Sequence, residues 1–186
     1  MLTVSTLEFN MFPVNTYVVW DQTGQAVVID PGCYYESESA KLESVITENS
    51  LTVRHILNTH LHFDHIFGNP DAESMFGLKA ESSPLDMPWL LEIRERIGIF
   101  GLKYDKPIHP VMPENYLSDG DKVRFGNTTL CVISVPGHSP GSLAFYSKED
   151  HILFSGDALF QGSVGRTDFA DSDHATLVDS TSHKLL

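Results

Sequence analysis

At 186 residues, with 41% hydrophobic and 20% charged side chains, the chain has the size and composition of a globular domain with a real hydrophobic core. A net charge of −13 argues against a phosphate-backbone partner, which needs clustered Lys and Arg, and against docking on an anionic membrane surface. Residues 1–10 carry no basic residue and no long apolar core, and no stretch approaches the length of a membrane span, so a cytoplasmic chain is expected. Cys33 and Cys131 stand apart without a CxxC spacing and are read as reduced thiols, Cys131 as a small buried hydrophobe inside an apolar strand.

Alternating and β-branched runs at residues 2–9, 16–20 and 26–29 predict three strands, separated by turn chemistry at 13–15, 21–24 and 30–32. Residues 37–49 place Leu42, Val45 and Ile46 at helical spacing, with Ser37 as the expected cap. A strand over 53–58 leads into a His-rich run, and residues 66–76 read as a helix interrupted at Pro70. Residues 84–99 predict an amphipathic helix with Trp89, Leu90, Ile93 and Ile97 on one side, followed by a Pro-rich connection over 101–113 in which His109 reads as a loop residue. Strands are expected again at 122–125, 128–135, 142–146 and 152–154, with a solvated turn at 117–121. A last helix over 175–186 sets Leu177, Val178, Thr181 and Leu185 along one face.

The chemistry concentrates at the end of the fourth strand. His60, His62, Asp64 and His65 place four metal-binding side chains within six positions. His60 and His62, two apart on an extended or tightly looped backbone, leave it on the same side and can grip one ion. Asp64 and His65 have a different phase and can face a second ion beside it. Such a donor set suits zinc, with iron and manganese as rivals. Two later segments complete the constellation: His138 in a Gly-rich loop after one strand, and Asp157, next to Gly156, after another. Asp30 reads equally as a turn stabiliser or as an orienting partner for a ligand His. Arg166 and Asp168 are expected to pair with one another, and His55 and His151 to bond to backbone.

His60-x-His62-x-Asp64-His65, followed by His138 and Asp157 at strand ends, resembles the metallo-β-lactamase fold superfamily, and residues 162–169 (GSVGRTDF) resemble its glyoxalase II-like hydrolases. The resemblance runs from about residue 9 to 186. It implies an α/β fold, an αββα four-layer sandwich, as one domain over 1–186 with two similar halves at about 1–100 and 114–186. It also implies that His60, His62 and His138 hold a first metal, that Asp64 and His65 hold a second, and that Asp157 bridges both. Zinc is the expected cofactor, with Fe2+ or Mn2+ as alternatives, and the implied activity is hydrolysis of a thioester or ester by a metal-bound hydroxide. S-lactoylglutathione is a test compound, and a role for Asp64 in orienting the attacking water comes second to ligation.

The sequence also departs from that family. One more His, from a loop after a further strand, serves the second metal there, and nothing here fills that role, since His174 and His183 fall on the last expected helix. The expectation is a C-terminally truncated fold without the last strand and helix, a second site left with Asp64, His65 and Asp157, and self-association through uncovered apolar surface. Two other readings stand beside the hydrolase: a mononuclear iron persulfide dioxygenase, which the superfamily includes, and a non-catalytic metal-binding fragment. The expected partner is a small-molecule substrate, with neither nucleic acid nor membrane.

Overall fold

The computed structural model describes residues 1–186. Strands β1 (Thr3–Phe9), β2 (Val14–Trp20) and β3 (Gln25–Ile29) form an antiparallel meander. Helix α1 (Glu36–Glu48) then crosses over to β4 (Thr52–Leu57), which lies parallel to β3, and the short β5 (Ala80–Glu81) adds in parallel to β4. Between β4 and β5 run α2 (Phe63–Ile66) and α3 (Asn69–Phe76); after β5 comes α4 (Met87–Ile99), entered through a 3-10 turn at Pro84–Asp86. A second, antiparallel sheet follows in the order β6 (Lys122–Phe125), β7 (Thr128–Ser134), β8 (Leu143–Ser147) and β9 (Ile152–Phe154). A two-stranded hairpin of β10 (Leu159–Phe160) and β11 (Ser163–Val164) and the helix α5 (His174–Lys184) complete the chain.

Burial explains why the layers stack as they do. Ala26, Val27, Val28 and Ile29 are all fully buried, because β3 is covered on both faces and so carries a continuous apolar run. Val19, Val27, Ile29 and Leu57 of the first sheet pack on Val123, Leu130, Val132, Phe145 and Phe154 of the second, forming the core between the sheets. Leu42 and Ile46 of α1 cover Leu7, Phe9, Val18 and Val28 on the outer face of the first sheet. Leu177 of α5 covers Val135, Ala144 and Ala158 outside the second. The order is helix, sheet, sheet, helix. No helix is long and apolar enough to cross a membrane.

Several expectations are corrected locally. Tyr35, not Ser37, precedes α1, and the Glu38 carboxylate accepts the backbone N–H groups of Asn10, Tyr34 and Tyr35, taking over the capping role. Pro70 does not interrupt a helix; it sits in the first turn of α3, where its missing N–H is no loss. Cys131 lies on the outward phase of β7 and is only half-buried, whereas Cys33 is the buried thiol. On α5, Val178 faces solvent, and Ser180 is buried with its hydroxyl donating to the Pro136 carbonyl. His151, expected to bond to backbone, occupies a positive-φ turn and meets the Tyr146 hydroxyl, whereas His55 does reach backbone, at the Arg124 carbonyl, and also bonds Glu81.

Helix α5 bears directly on the loop that follows β7, since the Asp173 N–H donates to the Gly137 carbonyl beside the Leu177 contact. Leu177→Ala removes a fully buried side chain there. Urea denaturation is expected to show a loss of ~2–5 kcal/mol.

Candidate metal centre

The loops leaving the C-terminal ends of β4, β7 and β9 converge at one edge of the sandwich, and each brings part of the site. His60 follows β4, His62 immediately precedes α2, and Asp64 and His65 lie within α2, whose tight turn gives them the different phase expected. His138 lies in the loop between β7 and β8, and Asp157 in the 3-10 turn after β9. Five of the six residues expected as ligands come together in two overlapping groups. His60, His62 and His138 offer one group of nitrogen donors within 4.8 Å of one another, and His60, His65 and Asp157 another. Asp64 stands slightly apart, its Oδ2 3.9 Å from His65 Nε2. The Asp157 carboxylate reaches both groups, with Oδ1 3.2 Å from His65 Nε2 and Oδ2 3.5 Å from His138 Nε2.

Hydrogen bonds set which ring nitrogen of each imidazole faces the cluster. The Thr59 hydroxyl donates to Asp30 Oδ2 (2.6 Å), so its oxygen accepts the Nδ1–H of His60 at 3.1 Å. His65 Nδ1 donates to the same Asp30 oxygen at 3.0 Å, and His138 Nδ1 donates to the Arg166 carbonyl at 2.8 Å. In His60 and His138 Nε2 is therefore left with its lone pair toward the cluster, whereas His65 Nε2 turns to Asp157 Oδ1 at 3.2 Å. His60 Nε2 and His62 Nε2 are buried with no hydrogen-bond partner, and His62 Nδ1 lies 2.9 Å from His138 Nε2. Buried imidazole nitrogens gathered this closely, two of them with no hydrogen-bond partner, are costly in a protein interior and suited to a cation. Three imidazoles with adjoining carboxylates fit a divalent transition ion.

The electrostatics agree. Burial, reinforced by the neighbouring imidazoles, lowers His60 and His62 well below the usual histidine range, so both are neutral donors at pH 7. Burial also opposes a charge on His65, but Asp157 and Asp30 together outweigh it and raise this residue well above that range. Burial pushes Asp157 up, yet His65 and the other imidazoles pull it down to about 2. Burial raises Asp64.

Asp30 thus serves both readings made of it: its Oδ1 also accepts the Thr59 backbone N–H at 2.7 Å, so one buried carboxylate holds the turn and orients two rings. Arg166 and Asp168 pair through two hydrogen bonds, of 2.6 and 2.7 Å. His109 bonds Glu73, and His174 and His183 lie on α5, all outside the cluster. Asp86 escaped the sequence reading. Fully buried at the entrance to α4, it accepts from Leu61 N (3.2 Å), Ser139 Oγ (2.8 Å) and Gly141 N (2.6 Å), tying the His60–His62 loop to the His138 loop. No motif marks it; the only sequence signal is a carboxylate at the start of an amphipathic helix. Gly165 packs so tightly that a methyl group there would overlap the Asp157 carbonyl.

Over the cluster lies a cavity of about 250 Å3 whose wall includes Phe12, Trp89, Arg96, Phe100 and Phe169. Trp89, expected as a core residue of α4, is buried but also meets the His62 ring in a tilted contact, 4.0 Å between centroids, and its indole N–H bonds Asp171.

The sequence pattern of the Metallo-beta-lactamase superfamily matches residues 10–185. The hydroxyacylglutathione hydrolase GloC of Haemophilus influenzae is 31% identical over 187 aligned positions, covering 100% of this chain and 85% of that protein. Among solved structures, the BLEG-1 B3 metallo-beta-lactamase superposes with a TM-score of 0.86 at 30% identity, over 98% of this chain and 85% of that one. A di-iron-bound form of TTHA1623 gives 0.79 at 37% identity, over 97% and 84%.

Two outcomes follow from the geometry. Because His65 carries a proton in the metal-free protein and a ligand must not, metal uptake near pH 7 should release about one proton, and affinity should fall as pH drops. Calorimetry in buffers of different ionisation enthalpy measures that number. Asp86→Ala should leave two backbone N–H groups unsatisfied and free both His loops, weakening metal retention in a chelator competition by roughly 10–100-fold.

Proposed function

This chain belongs to the metallo-β-lactamase superfamily, a superfamily of metallo-hydrolases, and from that premise we propose that it hydrolyses acyl thioesters. The observation that carries the proposal is the pair of donor groups, each with its ligand atoms within 4.8 Å of one another, and the Asp157 carboxylate reaching both. In this reading His60, His62 and His138 hold a first metal ion, and Asp64 and His65 hold a second, with Asp157 shared. His60 Nε2 is one lone pair and serves one ion, so the second site rests on His65, Asp157 and Asp64. Zinc is the metal proposed, and the di-iron form of a structural relative keeps iron as the alternative.

When bound, the metal acts as a Lewis acid and lowers the pKa of water from about 15.7 toward about 7, so that a nucleophile exists at neutral pH. The chain's own residues do the rest. Asp157 keeps a negative charge at the meeting point of the two donor groups, offsetting cationic charge that neutral imidazoles leave uncompensated. Asp64, part-exposed at the cavity floor, orients water for attack on the thioester carbonyl. Phe12, Trp89, Phe100 and Phe169 form an apolar wall that limits solvent around the acyl group. No Ser or Cys nucleophile is required, and Cys33 is unsuited to the part, since burial pushes its thiol up to about 12. A thiolate departs readily because the pKa of a free thiol is only about 8.5.

A second reading draws on one observation: His60, His65 and Asp157 form a two-His, one-carboxylate set, the donor pattern of mononuclear iron(II) oxygenases. Oxygen uptake with a persulfide separates it from hydrolysis without oxygen. The leading proposal predicts that S-lactoylglutathione or another thioester is cleaved anaerobically, and that His62→Ala lowers kcat/KM by on the order of a hundredfold or more. Unchanged turnover in that variant would sink it.

A further inference from the structure

Two arginines line the cavity above the donor groups, and they differ in how they are committed. Arg166 lies over the Phe169 ring and gives Nε and Nη2 to the two carboxylate oxygens of Asp168, so its planar fork is occupied. Arg96, on α4, sits with its guanidinium carbon 3.6 Å from the centroid of the Trp89 ring. Its one hydrogen bond runs from Nη2 to Glu92 at 2.7 Å, against the two that hold Arg166, so most of its fork is uncommitted. Nε is buried with no partner, and Nη1 makes no hydrogen bond within the chain.

A guanidinium has five N–H donors in a fixed plane matched to a carboxylate, and an unpaired buried donor calls for an acceptor. Stacking on Trp89 fixes that plane, and the ring is itself held by the bond from its N–H to Asp171. Trp89 also touches His62, so the same indole joins the cation to the donor cluster. In a chain of net charge −13, a cation with spare donors on the wall of this cavity is a specific feature. Half of the lining is apolar, Asp64 and Asp157 carry the wrong sign, and Arg166 is held by Asp168, so Arg96 is the arginine left to meet a carboxylate entering here. At about 250 Å3 the cavity is at the small end for ligand sites, and suits a short substituent, not a bulky one.

We propose that Arg96 is a specificity-determining residue that binds a carboxylate carried by the substrate, so that this chain prefers thioesters bearing a carboxylate a few bonds from the scissile carbonyl. The proposal rests on the thioesterase reading above. The carboxylate can sit on the thiol side or on the acyl side, and the chemistry at Arg96 is the same.

The test compares matched pairs. S-acetyl-N-acetylcysteine and S-acetyl-N-acetylcysteamine differ by a carboxylate on the thiol; S-succinyl- and S-propionyl-N-acetylcysteamine differ in having one on the acyl group. KM and kcat are measured for the native chain, Arg96→Gln and Arg96→Lys. The expected result is a KM lower by about tenfold or more for the carboxylate member of at least one pair, and the pair that responds identifies the side. Arg96→Gln should erase that difference with kcat nearly unchanged, and Arg96→Lys should restore part of it. Equal preference in the native chain and in Arg96→Gln would overturn the assignment. Tryptophan fluorescence during titration with succinate and with N-acetylcysteine reads binding without turnover. If no thioester is cleaved but Arg96-dependent binding persists, the carboxylate site stands and the thioesterase reading falls. If Arg96→Gln leaves the fluorescence titration unchanged, the carboxylate site falls.

Discussion

Imidazoles crowded into a pocket closed to solvent gain nothing from one another, and the chain keeps them there through a few hydrogen bonds to their outer nitrogens. Asp30 is the centre of that arrangement. From a positive-φ turn after β3 it reaches the Thr59 backbone and hydroxyl and the His65 ring, and through Thr59 it sets the proton of His60. His138 is fixed independently by the Arg166 carbonyl. Each ring that is held from behind turns its Nε2 to the front, and the donor cluster follows from those anchors as much as from the clustered side chains themselves.

The sandwich makes those anchors possible. Parallel pairing of β3 and β4 puts the Asp30 turn and the His60 loop side by side at the same sheet end. Asp86 then bonds both the Leu61 and Gly141 N–H groups, so the loops of the two sheets approach the cluster together. Gly156 and Gly165 allow the Asp157 turn to press against Thr59 and His138, where any side chain would intrude. Packing between the sheets and hydrogen bonding between the loops therefore serve one site.

Much of this was legible in the sequence, for physical reasons that differ by element. Strands β1 to β4 and β6 to β9 announce themselves through alternation or continuous apolar runs, and the ligand spacing at residues 60–65 is dense enough to stand alone. Ser37 misled because the carboxylate of Glu38, one residue further on, takes three backbone donors from outside the helix. Cys131 misled because an apolar strand still has an outward phase. The hairpin of β10 and β11 has two residues per strand, too few for any period. Asp86 and Phe169 act through tertiary contacts spanning the chain, and a helical pattern that explains Trp89 as core cannot also say that its ring, with Arg96 over it, faces a cavity.

The proposed hydrolysis depends on a metal held by these side chains. The most direct test is metal content per chain, by plasma mass spectrometry, on protein purified without added metal, alongside thioester turnover before and after chelation. At least one equivalent of a transition metal is expected, with turnover lost on its removal and regained on its return. A folded chain that carries no such metal and still cleaves a thioester at an undiminished rate would contradict that dependence.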